Sequence, residues 1–395
     1  MLYYGRQSIL EEDIQFVSAV LRGDLITTGP VAAEFEAAFA RYVGAKYAVA
    51  VCNATAALHL AMLVADIGEG DRVVTSPNTF LASANCAAYV GATPDFVDID
   101  PVSYNLSPET LANDWQPDTK AVVAVHYAGG SADMPAIAKF AWERGAVVIE
   151  DGCHAVGGSI ELDGQTWKIG GHPWADITTF SFHPVKNMTC GEGGMLVTND
   201  ASFAERARTL RTHGIVRDTS AFTGLGSDDF HERGGWYYEM QSLGYNYRIT
   251  DFQCALGLSQ LSRLDALLER RREIVAAYNH AFSTNSNLII PQLRNENERA
   301  LAAWHLYTLQ VDYNALGVSR TQWIAKLRDE GIEAHVLYIP VHLQPWYRKT
   351  YGYGPGKCPV AESLYRKVVC LPLFPAMCDD EVSLVIDRVL QLCQT

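Results

Sequence analysis

Ser181-Phe182-His183-Pro184-Val185-Lys186, closed by Gly191-Glu192-Gly193-Gly194, is the stretch whose reading decides the fold of this chain. Apolar runs stand on both sides of it, so the sequence predicts a lysine-bearing loop between two buried strands, Ile177–Phe182 and Met195–Val197. Some thirty residues earlier Val147-Val148-Ile149-Glu150 ends in Asp151, which places a carboxylate at the end of another buried strand. Glycines at 191, 193 and 194 allow other backbone to approach the loop closely.

Working outward, short apolar runs recur at 47–51, 72–75, 94–97 and 121–125. Between several of them lie segments of helical period at 54–65, 81–89 and 134–144. Strand and helix alternating in this way predict an α/β fold around a mostly parallel sheet covered on both faces. Ligands in such sheets sit at the carboxyl ends of the strands, where Asp151, Ser181 and Lys186 fall. From residue 251 the pattern changes. One long helix is expected over 252–282, with leucines at three- to five-residue spacing and Arg270, Arg271 and Arg272 on a solvated face. The expected division is a large domain over 1–250, a bridging helix over 251–282 and a smaller α+β domain over 283–395. Within that last domain strands are expected near 306–311 and 334–338, and a helix after Asp380.

The composition, 48% hydrophobic and 19% charged over 395 residues, is that of a globular chain long enough for two cores. A net charge of −14 without a basic stripe argues against nucleic acid as a partner. Nine cysteines lie scattered, with no CxxC pair and no metal-ligand spacing, as suits reduced thiols. No apolar run reaches membrane-spanning length, and the opening residues lack a signal-like pattern. The expectation is a cytoplasmic protein with no metal and no membrane partner.

Three features carry the chemistry. A lysine amine on a loop can form a Schiff base with an aldehyde. A strand-end carboxylate can hold a pyridine nitrogen protonated, and Asp151 is also what a helix cap or a structural ion pair would need. Asn53-Ala54-Thr55-Ala56 follows a strand and opens a helix, which offers free amides and a hydroxyl to a phosphate. Asn53 reads equally as an ordinary N-cap. His154 suits either a place beside a cofactor or a satisfied core position. Phosphate loop, carboxylate and lysine in this chain order point to pyridoxal 5′-phosphate (PLP), with Lys186 carrying it.

Those residues are also where a resemblance lies. Glu150-Asp151-Gly152-Cys153-His154-Ala155, Ser181–Lys186 with the glycine turn, and Gly244-Tyr245-Asn246-Tyr247-Arg248 before Asp251 resemble the DegT/DnrJ/StrS sugar aminotransferases. The likeness runs from Tyr4 and Thr28-Gly29-Pro30 to Leu371-Pro372. Its nearest branch is the one that aminates a keto-sugar for pseudaminic acid, which resembles this chain in His183–Lys186 and in Leu256-Gly257-Leu258-Ser259-Gln260-Leu261. The resemblance implies the type I PLP fold of aspartate aminotransferase and a homodimer with shared active sites. It implies Lys186 as the cofactor lysine and proton shuttle, Asp151 on the ring nitrogen, and His154 and Phe80 against the ring. Thr55, Ala56 and Ser181 would hold the phosphate, joined by Asn246 of the other subunit. Tyr4, Asp24, Leu25, Ile26, Thr27, Asn53, Ile332, Glu333, Ala334 and His335 match sugar-nucleotide contacts of that branch.

The implied reaction takes the amino group of L-glutamate and gives it to C4 of a UDP-linked 4-keto-6-deoxy-2-acetamido sugar. Amination of another UDP- or dTDP-keto-sugar is the alternative, and a regulatory homologue a remote one. A sugar dehydratase of the same family is disfavoured, because that branch carries histidine where Lys186 stands. Two positions depart from the family pattern: Ala54 stands where glycine is common, and Cys190 where threonine is usual.

Overall fold

Seven strands form the central sheet, in the spatial order Tyr47–Val51, Gly194–Thr198, Ile177–Ser181, Val147–Asp151, Thr119–Val125, Arg72–Thr75 and Thr93–Phe96. This is a computed structural model, and it describes residues 1–223, 235–294 and 297–394. Six strands run one way. Gly194–Thr198 runs against both its neighbours, because a loop rather than a crossover helix joins it to Ile177–Ser181. The parallel strands are buried along almost their whole length, as they must be when helices cover both faces. Val122, Ala124 and Val148 pack on one face with Phe35, Phe39 and Phe180. Val49, Val123 and Ile149 pack on the other with Leu58 and Leu60.

The expected strands of this sheet are found within one or two residues of their limits. The expected helices at 54, 81 and 134 are observed as Ala54–Val64, Ala82–Tyr89 and Met134–Trp142. Ala54 lies inside its helix, so it has no need of the left-handed freedom of glycine. Cys190 is buried among Phe35, Phe182 and Cys254, an apolar packing role. Asp251 begins a helix and also reaches back across the sequence. Its carboxylate accepts the Gly29 amide at 2.8 Å and the Val31 amide at 2.9 Å, capping the helix Pro30–Val43.

Three expectations require correction. The single helix over 252–282 is two, Asp251–Ser262 and Leu264–Phe282, separated by the non-helical Arg263. The first half of the second helix packs Leu264 and Leu268 on the sheet core, and its second half packs Ile274, Tyr278 and Phe282 on a separate core. The arginine run is not uniformly solvated: Arg271 is wholly buried. It shares a helix face with Leu264, Leu268, Val275 and Tyr278, each three or four residues along. Residues 334–338 form no strand. His335 exchanges one pair of backbone bonds with Cys370, after which the chain turns toward the cleft and brings Tyr338 to His154.

The second core is built on a three-stranded antiparallel sheet, Leu288–Ile289, Tyr307–Val311 and Val368–Leu371. It is covered by Leu264–Phe282 and by the last helix, Asp379–Leu392. Leu2 and Ile332 pair as an isolated bridge, so the chain's start is tied to this unit. Among the described residues no helix is long and apolar enough to cross a membrane.

Candidate active site

The carboxyl ends of the parallel strands open on one cavity of about 470 Å³. Val51 leads to the helix start at Asn53, Thr75 to Thr79 and Phe80, and Val125, Asp151 and Ser181 end their own strands there. Tyr4, Asn53, Thr55, Phe80, Asp151, His154, Ser181 and Lys186, all singled out from sequence, line its wall.

At the helix start, the Asn53 side chain accepts the Ala56 amide at 2.9 Å, the N-cap the sequence allowed. Ala56 is therefore spent on the cap, and its amide is not offered to a ligand. Ala54 and Thr55, whose amides helix geometry leaves without an intrahelical partner, line the cavity. Gly194 supports this turn from below. A Cβ there would stand 2.5 Å from the carbonyl carbon of Asn53, so only glycine lets the strand and the turn lie in contact.

Asp151 is almost wholly buried. Its Oδ2 accepts the Ser83 hydroxyl at 2.6 Å and its Oδ1 the Cys153 amide at 3.1 Å. Ser83 in turn bonds Thr79 at 2.7 Å. Two donors leave room for a third, directed from the cavity. Its neighbour Glu150 faces the other way and is saturated. Its carboxylate takes bonds from His126 (2.6 Å), His172 (2.5 Å), Thr178 (2.7 Å) and the Gly170 amide (3.1 Å). Burial alone would raise its pKa, but His172 and His126 outweigh that and hold it well below the usual carboxylate range.

Lys186 is partly buried, and its Nζ lies 3.3 Å from Nε2 of His305. Burial pushes its pKa down and Arg271 acts in the same sense, against Cys153 and Asp151. His154 accepts the Ala128 amide on Nδ1 at 3.3 Å, so its Nε2–H points to the Tyr338 hydroxyl at 3.0 Å. Burial, helped by Lys186, holds the His154 pKa well below its usual value, and the ring is neutral at neutral pH. Phe80 is 55% exposed and stands 6.2 Å from the Tyr338 ring.

These groups suit PLP on the chemistry of the donor set. Amides and hydroxyls at a helix start fit a phosphate. A buried carboxylate at the cavity wall fits a protonated ring nitrogen, and an amine whose pKa is lowered by burial fits an aldehyde.

Other expected residues lie elsewhere. Tyr4 lines the cavity and its ring lies 4.5 Å from that of His335, which pairs with Glu333 at 3.3 Å. Ala334 is buried, and Ile332 is wholly buried in the second core, so the Ile332 side chain serves packing. Asp24, Leu25, Ile26 and Thr27 are exposed beside Thr250 and Asp251, away from this chain's own cavity wall. Asn246 is exposed and also absent from that wall. Tyr338 reaches the cavity, His342 is buried against Glu362 at 3.0 Å, and Trp236 is exposed outside the cavity wall. Sequence reasoning missed Ser83, His305 and Arg271. Only the helical stripe through Arg271 offered a signal.

A family model described as the DegT/DnrJ/EryC1/StrS aminotransferase family matches residues 7–390. The spore coat polysaccharide biosynthesis protein SpsC of Bacillus subtilis is 43% identical, over 98% of this chain and 96% of its own length. Among solved structures, the fold is similar to PseC of Helicobacter pylori, an aminotransferase involved in the biosynthesis of pseudaminic acid. The TM-score is 0.88 at 27% identity, covering 100% of this chain and 99% of that one. A Streptococcus pneumoniae protein described as a sugar aminotransferase, solved in PMP and PLP forms, is 28% identical; its PMP form has a TM-score of 0.88 and covers 100% and 99% of the two chains.

Proposed function

The chain belongs to the DegT/DnrJ/EryC1/StrS aminotransferase family, and from that premise we propose that it aminates C4 of UDP-2-acetamido-2,6-dideoxy-β-L-arabino-hexos-4-ulose with L-glutamate as donor, in pseudaminic acid biosynthesis. As a member of this family it is a PLP-dependent sugar aminotransferase. The observation that carries the reading is one cavity in which Lys186, Asp151, His154 and the helix start at Asn53 converge.

PLP, when bound, supplies an electron sink for charge developing at the reacting carbon. The chain's own residues do the rest. Lys186 would hold the cofactor through its amine, and its Nζ is the group placed to take up a proton at the reacting carbon and give it back on the same side. Asp151, held by Ser83 and the Cys153 amide, keeps the ring nitrogen protonated. Thr55, Ser181 and the open amides take the phosphate, and His154 and Phe80 flank the ring. Tyr4, braced by Glu333 and His335, stands where a sugar would enter.

The enzyme works as a homodimer in this reading, with Asn246 and the 24–27 segment serving the other subunit's site. Their exposure supports it, as do the exposed side chains of Leu25, Ile26 and Phe80. A second reading, amination of a different UDP- or dTDP-keto-sugar at C3 or C4, is favoured by the higher identity to a relative named for spore coat polysaccharide. The test is a single-turnover assay. The protein is bleached with L-glutamate, desalted, and offered a panel of UDP- and dTDP-linked keto-sugars while the visible band is followed. Return with the L-arabino UDP-sugar alone supports the first reading. Return only with another sugar selects the second, and no return with any sinks both.

A further inference from the structure

His305 is not part of the cavity wall, yet its Nε2 lies 3.3 Å from Lys186 Nζ. The imidazole is 3% exposed and its ring centre is 4.4 Å from that of His154. Its Nδ1 is buried and has no hydrogen-bond partner. Beyond it lies Arg271, which is wholly buried. Its Nη1 donates to the carbonyls of Leu373 (2.8 Å), Trp304 (3.3 Å) and His305 itself (3.4 Å). Nε and Nη2 have no partner, and among the described residues no carboxylate pairs with the guanidinium. An imidazole nitrogen and a buried cation left unpaired are both costly, and packing explains neither. The imidazole touches the amine, and the guanidinium is bonded to the backbone of that same histidine.

We propose that His305 and Arg271 are a buried positioning pair for Lys186: the imidazole fixes where the amine points, and the guanidinium behind it adds to burial in opposing a positive charge there. A fixed cation opposes a second positive charge nearby. An amine must be unprotonated to attack a carbonyl. Of the groups facing Lys186, Asp151 favours the protonated amine, while burial and Arg271 oppose it; burial raises the Cys153 pKa well above its usual value, so that thiol adds no charge at neutral pH. His154, His183 and His305 have pKa values lowered chiefly by burial, and burial raises that of Tyr338, so at neutral pH these four add no charge. Glu192 also lines the cavity. Burial brings Arg271 itself down to about 9, so it remains a cation at neutral pH.

The inference rests on Lys186 being the amine that carries the cofactor, and the experiment keeps the two apart. Cofactor-free protein is acetylated competitively across a pH series, and the Lys186 peptide is read by mass spectrometry against the exposed Lys46. In the unmutated protein the acetylation midpoint of Lys186 is expected to fall below that of Lys46. Arg271→Met should move Lys186 toward Lys46, and Arg271→Lys should recover at least roughly half of that shift. His305→Gln should leave the midpoint near its original place and slow appearance of the visible band on adding PLP by about tenfold. A Lys186 midpoint equal to that of Lys46 in the unmutated protein overturns the charge role, even if Arg271→Met does not fold. An unchanged midpoint in folded Arg271→Met overturns it too. An unchanged rate of band appearance in His305→Gln overturns the positioning role. If Lys186→Ala still forms the band, the cofactor assignment is what fails.

Discussion

Glu150 and Asp151 end the same strand one residue apart, and their surroundings differ in kind. Successive side chains of a strand point to opposite faces, so one carboxylate enters the protein and the other the cavity. Glu150 meets four donors from three separate segments and has no capacity to spare. Asp151 meets two, and it borders the cavity. The first arrangement holds the ends of three strands and a loop in register. The second holds one acid in place and leaves it incomplete. An incomplete site within a complete scaffold is what a cofactor requires.

Substitutions can break this contrast. Asp151→Asn keeps the shape and both donors' neighbours but removes the charge. It is expected to lower kcat by roughly 10³-fold, about 4 kcal/mol, with little change in melting temperature. Glu150→Gln should do the reverse. It leaves buried histidine donors facing an amide, and stability should fall by about 3 kcal/mol in denaturant titrations while the folded fraction retains turnover. If Glu150→Gln loses turnover without losing stability, the contrast is wrong.

The pH dependence of stability sharpens the same point. Glu150 has a folded pKa held below its unfolded value near 4.5. Its stabilisation is therefore full above that value and is lost as pH falls toward the folded pKa. The stability gap between the native protein and Glu150→Gln should be constant from pH 8 to about pH 5.5 and shrink only in more acid solution. The smallest effect is expected at Ser83. Ser83→Ala removes one of the two donors to Asp151, and kcat should drop about tenfold, near 1.4 kcal/mol.

The sequence made the local part of this design legible. Lys186, Ser181 and Asp151 each sit at the end of an apolar run, and a run and its end are read within ten residues. The helix at Asn53 was equally local, because a cap and the residues it caps are neighbours. What escaped was long-range. Ser83 meets Asp151 across 68 positions and His305 meets Lys186 across 119, and no periodicity joins such pairs. Arg271 was misplaced because three adjacent arginines look like a solvated face. Its own spacing from Leu264, Leu268, Val275 and Tyr278 argued for the buried side. Residues 334–338 alternate well enough for a strand, but their path is set by where Tyr338 must arrive.

One strand of the sheet carries a consequence for how the chain is made. Tyr47–Val51 is the sheet's edge and pairs with Gly194–Thr198 alone. During synthesis it emerges early and must wait, unpaired, until the ribosome has delivered the strand after the lysine loop. The helix start at Asn53 can settle on Gly194 only then. A nascent chain arrested before residue 194 therefore presents an apolar strand with both edges open, the form most prone to join another chain. The same late arrival that completes the phosphate end is the step at which a growing polypeptide most needs a chaperone.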